Sequence, residues 1–518
     1  MVSKLTSQNV ASRRGFLQQV GGGMLLTSLG VGLCEELGVA SPTLGLRGPG
    51  EGTALDFGGH ARLVDLITQT PVEKLQPRLM AELARGATCE ELVAAGALAN
   101  ARAFGGEDYE GYHAFMALMP AFEISRSMTG KIAALPVLKV LYRNTARIQA
   151  KGAQTRPVLR SNPAAREAIA SQAQAEEVIA KLRARDKSGA EAAFDALVRE
   201  NPEASFEHLI PVVCHEVDVH RVVLAWRTWD LLRLTGQEHA STLMRQSVRQ
   251  CVDREGDSTD DPIRWELPQV LEESRVFDAQ PDSVAVDDKW VDNLARELCD
   301  SKRKDAATVM AHALREGVST TDLGQALSLA ATYLMLRQEG RTSSTNGRRV
   351  GSVHGAGTGV HSSDTAAAWR AMSRFGSERQ RKLALIAGAY HVAGQSHNVA
   401  RKPFAYGSVE VEAGGADALL GMLTECVSDQ DQAGAAAAAS HYVGHGHDLG
   451  PMLEMLLEES VAADGALHAE KYYRTQVEAI QGDRPAFRAL HLAALARVCA
   501  SQSYAQAAGR EQALELVG

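Results

Sequence analysis

The side chains best suited to chemistry lie in Ser352–Met372, SVHGAGTGVHSSDTAAAWRAM. His354 and His361 bracket a glycine-rich run, and Ser362-Ser363-Asp364 then leads into a helix-like Thr365–Met372. An imidazole titrates near neutral pH and binds metals through a neutral ring nitrogen, so each histidine can serve as acid, base or ligand. On a regular helix, residues spaced as His354 and His361 are would share a face but stand roughly 10 Å apart along it, too far for one ion. The glycines allow a close backbone approach instead, with free amides for an anion, which makes Gly355, Gly357 and Thr358 cofactor-binding candidates. No Gly-Lys-Ser/Thr follows, so the run is not a phosphate loop, and no strand precedes it as a dinucleotide site requires. His391 and His397, around Gly394, join His354 and His361 as candidate catalytic groups. The competing explanation is helix packing through small residues, with the histidines hydrogen-bonded in a core.

Metal ligation has its own candidates. Glu216 and His220 are one helical turn apart and can converge if the segment is helical, a carboxylate–imidazole pair suited to iron, manganese or zinc. His239 follows in the same half. His441-Tyr442-Val443-Gly444-His445-Gly446-His447-Asp448 has the density of a ligand cluster, with His441 and His445 foremost. A helix C-terminus explains the same residues, since histidines complement the dipole there and glycine caps the end. The sequence leaves the cofactor unknown, with iron or another transition metal as the candidate. No G-x-S-x-G is present, and Trp226, Trp229 and Trp369 read as core aromatics.

The elements that must position these groups read as helices. The chain has 518 residues, 45% hydrophobic, 23% charged and only 5% aromatic, with abundant alanine, which favours helix over sheet. A net charge of -9 argues against nucleic acid or an anionic membrane as the partner. Thr88-Cys89-Glu90-Glu91 forms a capping box ahead of an apolar run that ends at Gly105-Gly106. Glu110–Met128 reads as the next helix, kinked or broken at Pro120. Ser161–Glu200 reads as a solvated helical hairpin, and residues 404–413 show a short strand-like alternation.

Gly86-Ala87-Thr88-Cys89-Glu90-Glu91-Leu92 lines up with Gly317-Val318-Ser319-Thr320-Thr321-Asp322-Leu323, and the match runs on through Ala95/Ala326, Leu98/Leu329 and Ala99/Ala330. His113 falls opposite His354 if Gly340–Arg349 is an insertion. The expected fold is therefore all-α, with two related antiparallel helical halves from an internal duplication and no sizeable sheet. The halves are residues 58–252 and 290–518, joined by an acidic, proline-bearing linker at 253–289 and preceded by a linker at 41–57.

Ser12-Arg13-Arg14-Gly15-Phe16-Leu17-Gln18 resembles the twin-arginine export motif, and Val20–Leu33 is a short apolar core before Gly38-Val39-Ala40. That core is too short for an ordinary membrane span. Residues 1–40 are thus expected to be a signal peptide, with the twin-arginine translocase as partner, a periplasmic or otherwise exported product, and no stable span after cleavage. Cys89, Cys214, Cys251, Cys299, Cys426 and Cys499 are scattered, without a CxxC pair.

Trp226-Arg227-Thr228, followed by Gly236-Gln237-Glu238-His239-Ala240, resembles a pattern in twin-arginine-exported helical proteins, which implies fold and export. His354-Gly355-Ala356-Gly357-Thr358, followed by Ala366–Arg370, resembles the questin-oxidase-like family, helical proteins associated with Baeyer–Villiger-type oxidation of aromatic polyketides. That resemblance implies an oxidoreductase of monooxygenase type, acting on a small hydrophobic molecule in a histidine-lined cavity. The alternative is a non-catalytic scaffold or interaction protein with structural histidines. The enzyme reading requires histidines of both halves, His113, His220 and His354 among them, to meet near an acid.

Overall fold

The computed structural model describes residues 53–161, 173–255, 261–278, 284–344, 349–353, 358–411, 414–462, 467–502 and 506–518. The expected signal peptide, most of the 41–57 linker, and His354, Gly355 and Gly357 lie outside the described residues.

The fold is all-α. The first half comprises α1 (Ala61–Gln69), α2 (Val72–Ala84), α3 (Cys89–Phe104), α4 (Tyr109–Ser127), α5 (Leu135–Ala150), α6 (Ala173–Arg183), α7 (Lys187–Glu200), α8 (Pro202–Val213), α9 (Val219–Asp230), α10 (Ala240–Arg254) and α11 (Ile263–Ser274). The second comprises α12 (Asp288–Asp300), α13 (Arg303–Arg315), α14 (Thr320–Arg337), α15 (Thr358–Met372), α16 (Glu378–Gln395), α17 (Ala416–Asp429), α18 (Gln432–Gly444), α19 (Leu449–Ala462), α20 (His468–Gly482), α21 (Arg488–Ala500) and α22 (Arg510–Val517). Among the described residues no β-ladder forms beyond an isolated bridge between Val284 and Val318.

Local chemistry sets the ends of the helices that matter most. Thr88 Oγ1 accepts from the Glu91 amide (3.1 Å) while Glu91 Oε2 accepts from the Thr88 amide (2.8 Å), completing the capping box of α3. Gly105, in the left-handed region at φ 54, stops it. Asp108 caps α4 by accepting from the Gly111 amide (2.8 Å), and Arg147 clamps that carboxylate from α5 with Nε and Nη2 at 2.8 and 2.9 Å. Ser319 caps α14 as Thr88 caps α3, accepting from the Asp322 amide (3.1 Å).

The order of packing repeats between the halves. α1 lies on α3, α3 on α4, α4 on α5, α6 on α7, α7 on α10, and α9 on α10. In the same order α12 lies on α14, α14 on α15, α15 on α16, α17 on α18, α18 on α21, and α20 on α21. The last helix of each half crosses over: α11 packs on α13, and α22 packs on α2 and α5. α11, which packs on α13, lies within segment 253–289. At the centre α4, α9, α15 and α20 form a closed ring, each touching the next and α20 returning to α4. α4 is buried on every side from Gly111 to Pro120, as a central helix must be.

Some sequence expectations need correction. Of the kink or break expected at Pro120, the break does not occur: α4 continues through it, with one backbone hydrogen bond removed. Residues 404–411 form no strand, because no extended neighbour is there to pair; Phe404 instead lies under the Arg497 guanidinium, 3.8 Å from its ring centroid. α7 is not a solvated hairpin arm. It buries Phe194 and Leu197, and its Glu191 pairs with Arg249 of α10 at 2.9 Å.

Candidate functional site

Each central helix carries one histidine within its first five residues: His113 on α4, His220 on α9, His361 on α15 and His468 on α20. Their rings form a four-membered circuit. Centroids are 4.8 Å apart for His113–His220, 5.9 Å for His220–His361, 5.3 Å for His361–His468 and 5.5 Å for His468–His113. Two sides of the circuit lie within a half and two cross between halves. Histidines from the N-terminal and C-terminal parts of the chain therefore meet, while His354 lies outside the described residues.

Glycines let the helices close on this circuit. Gly111 and Gly359 each stand two residues before a ring, in Gly-Tyr-His and Gly-Val-His. A Cβ on Gly111 would fall 2.5 Å from the Phe104 ring, and one on Gly359 would fall 2.6 Å from the Met335 Cα. His113 and His361 share the Gly-x-His motif; His354, which the sequence alignment sets opposite His113, lies outside the described residues. The extra chain of the second half lies between α14 and α15, where a far shorter connection joins α3 to α4.

Hydrogen bonds set the tautomers. His113 Nδ1 is 2.8 Å from the Tyr109 carbonyl oxygen. A carbonyl only accepts, so Nδ1 carries the proton and Nε2 bears the lone pair. His220 Nδ1 faces Asp218 Oδ1 at 3.6 Å, which favours the same tautomer. The Nε2 atoms of His113 and His220 are both buried with no hydrogen-bond partner. His361 and His468 bring their Nε2 atoms to 3.3 Å of each other. Tyr109 and Tyr112 pack on the circuit, with centroids 4.3 and 5.4 Å from His113.

The electrostatics keep the His113 ring neutral. Burial, followed by the neighbouring His220 and Lys471, holds the His113 imidazole well below the usual histidine range. All four helices begin here, so four positive dipole ends add to the cost of an imidazolium. Asp218 supplies the nearby acid. Burial would raise its carboxyl, but His220 and the amides of His220 and Arg221, at 2.9 and 3.0 Å, outweigh burial and hold it low. One turn further in, Lys471 pairs with Asp364 at 3.5 Å, both side chains buried.

Of the expected site residues that are described, His220 and His361 join the circuit. Thr358 opens α15 but has no ligand role on view. His391 is buried on α16, where Trp369 Nε1 donates to its Nδ1 at 3.4 Å; it stands outside the circuit but feels the charge of Asp218. His397 is exposed in the turn Ser396–Asn398. Glu216 pairs with the buried Arg221 guanidinium at 3.2 Å, a charge-assisted contact. His239 packs against His60 and Phe57, at 5.8 and 6.3 Å. His441 and His445 are exposed at the end of α18, where His445 Nδ1 donates to the His441 carbonyl at 2.8 Å. The expected metal set of Glu216, His220, His239, His441 and His445 is thus dispersed over separate regions.

Sequence reasoning missed His468, and it named His113 among the histidines that must meet without ranking it as a candidate ligand or catalytic group. The Gly-x-His pair marks two of the four rings. Nothing near His468 marks the last. As the side chains stand, no three His, Cys, Asp or Glu donors among the described residues are placed to hold one metal ion. The described cysteines are all unpaired, and no described helix is long and apolar enough to cross a membrane. Comparison with known protein families, with characterised proteins and with solved structures finds no match to this chain.

Proposed function

We propose that His113, His220, His361 and His468 hold one divalent transition metal, iron foremost, in an exported oxidoreductase that acts on a small hydrophobic molecule. The observation that carries the reading is the pair of buried, partnerless Nε2 lone pairs on His113 and His220 beside the close Nε2 atoms of His361 and His468. A buried polar atom left unsatisfied costs about 1–3 kcal/mol, and two such atoms on neighbouring rings would both be satisfied by a common partner. Imidazole suits iron, copper, nickel and zinc.

The fit is close without being complete. Rings bound to one ion at about 2.1 Å would put neighbouring centroids about 4.5–5.2 Å apart, according to geometry. The observed separations run from 4.8 to 5.9 Å, so ring rotations of modest size would close the set. Two nitrogens on one tetrahedral ion lie about 3.4 Å apart, and His361 and His468 are at 3.3 Å.

When bound, such an ion would supply redox or Lewis-acid chemistry. The chain itself orients the ligands. The Tyr109 carbonyl fixes the His113 tautomer, Asp218 does the same for His220, and buried aliphatic residues of α4 and α15 exclude water. The resemblance to the questin-oxidase-like family supports oxidation as the reaction class. Export by the twin-arginine route, which carries folded proteins, suits a centre loaded before export. The repeated packing order supports a duplication in which each half donates two ligands.

The second reading, a scaffold with structural histidines, is favoured by the absence, among the described residues, of three donors already converged. Metal analysis of protein purified after native export separates the two. About one equivalent of a transition metal in the wild type, lost in His113→Ala and His361→Ala, supports the centre. Less than roughly a tenth of an equivalent in the wild type, with no bound chromophore, leaves the scaffold.

A further inference from the structure

A second feature lies on the same four helices at their opposite ends. A cavity of about 610 Å³ opens among the C-terminal turns of α4, α9, α15 and α20. That is within the range of small-molecule sites, about 300–1,000 Å³. It lies beyond the histidines along the bundle, roughly 10 Å from them at 1.5 Å per residue.

Its charge is unusual for such a place. Four helix C-termini carry partial negative charge and favour cations. Arginines answer that need, and most are already paired: Arg227 with Asp230 at 2.9 Å, Arg233 with Glu123 at 3.1 Å, Arg370 with Asp483 at 2.5 Å and Arg474 with Glu478 at 2.9 Å. Arg374 differs. It lies just past the end of α15 and lines the cavity, yet makes no ion pair or side-chain hydrogen bond among the described residues. Arg374 is exposed at the rim of the cavity; partial desolvation, and then Arg370 nearby, lower its guanidinium, while Glu478 and Asp483 act to raise it.

Beside it stands an aromatic wall. Trp226 and Trp229 are half-buried and line the cavity, contrary to their reading as plain core. Phe375, 41% exposed, lies 5.5 Å from Trp226 and 6.3 Å from Trp229 between centroids. Phe206 stacks behind Trp229 at 5.0 Å and holds it in place.

We propose that this cavity binds an aromatic monoanion, its carboxylate on Arg374 and its ring against Trp226, Trp229 and Phe375. A guanidinium offers a carboxylate paired, charge-assisted hydrogen bonds, and the aromatic wall offers stacking area. The site stands on the cavity alone and does not depend on the histidine centre.

The test is calorimetric titration of the full-length protein after EDTA treatment, with 2-naphthoate and its uncharged amide, 2-naphthamide, as probes. The expected result is saturable binding of 2-naphthoate, about tenfold or more tighter than the amide. Arg374→Gln should weaken 2-naphthoate by about tenfold and leave the amide unchanged. Phe375→Ala should weaken both probes. Absence of saturable 2-naphthoate binding, equal binding of the two probes, or undiminished 2-naphthoate affinity in Arg374→Gln would each overturn the proposal. Because the protein is stripped of metal, each outcome stands whether or not the histidines hold an ion.

Discussion

His391 gives a prediction with a size and a sign. Its ring is 1% exposed on α16, accepts from Trp369 Nε1 at 3.4 Å, and is pushed down to about 3 by burial. In the unfolded chain the same ring protonates near its ordinary value, about 6.5. As pH falls below that value, the unfolded state binds a proton that the folded state refuses, so stability falls with pH. Between about pH 7.5 and about pH 5 this one ring accounts for a loss of about 2 kcal/mol. His391→Gln keeps an acceptor for Trp369 and removes the titration. Urea unfolding followed by far-UV circular dichroism, run across that range on both proteins, reads the difference in slope and cancels the other buried histidines. The variant should lose about 2 kcal/mol less than the wild type. Equal losses in the two proteins would refute the assignment of a neutral, buried His391.

The placement of the other side chains yields further outcomes. Glu216→Gln and His445→Ala should leave the metal content of exported protein unchanged, since Glu216 serves Arg221 and His445 is solvent-exposed; a loss in either would restore a ligand role. Gly359→Ala sets a Cβ 2.6 Å from the Met335 backbone. It should cost about 1–3 kcal/mol in urea unfolding and displace His361, lowering metal content as well. Thr88→Ala should cost about 1 kcal/mol through loss of the capping box and leave metal content alone.

Much of the scaffold was legible in the sequence, because its signals are local. The capping box at Thr88, the stop at Gly105 and the matched segment at Gly317 each rest on a few neighbouring residues, and all three stand where helices start or stop. The all-α class followed from alanine and the scarcity of aromatics. The site was less legible, because it depends on contacts between distant segments. α4, α9, α15 and α20 run in the same direction, and no periodicity within one helix reports that. His113 and His468 are far apart in sequence, yet their rings come within 5.5 Å. Local density also misled: His441 and His445 cluster because a helix ends there, while His468 is solitary in sequence and central in space. Glu216 and His220 have the spacing of ligands, but the carboxylate pairs with Arg221.

The most direct test of the central claim is extended X-ray absorption fine structure at the edge of whichever metal the exported protein carries. The account predicts a nitrogen-dominated shell at about 2.0–2.2 Å with the outer-shell scattering of several imidazoles, reduced by one ring in His468→Ala. A metal without imidazole scattering, or a spectrum that His468→Ala leaves unchanged, would contradict it.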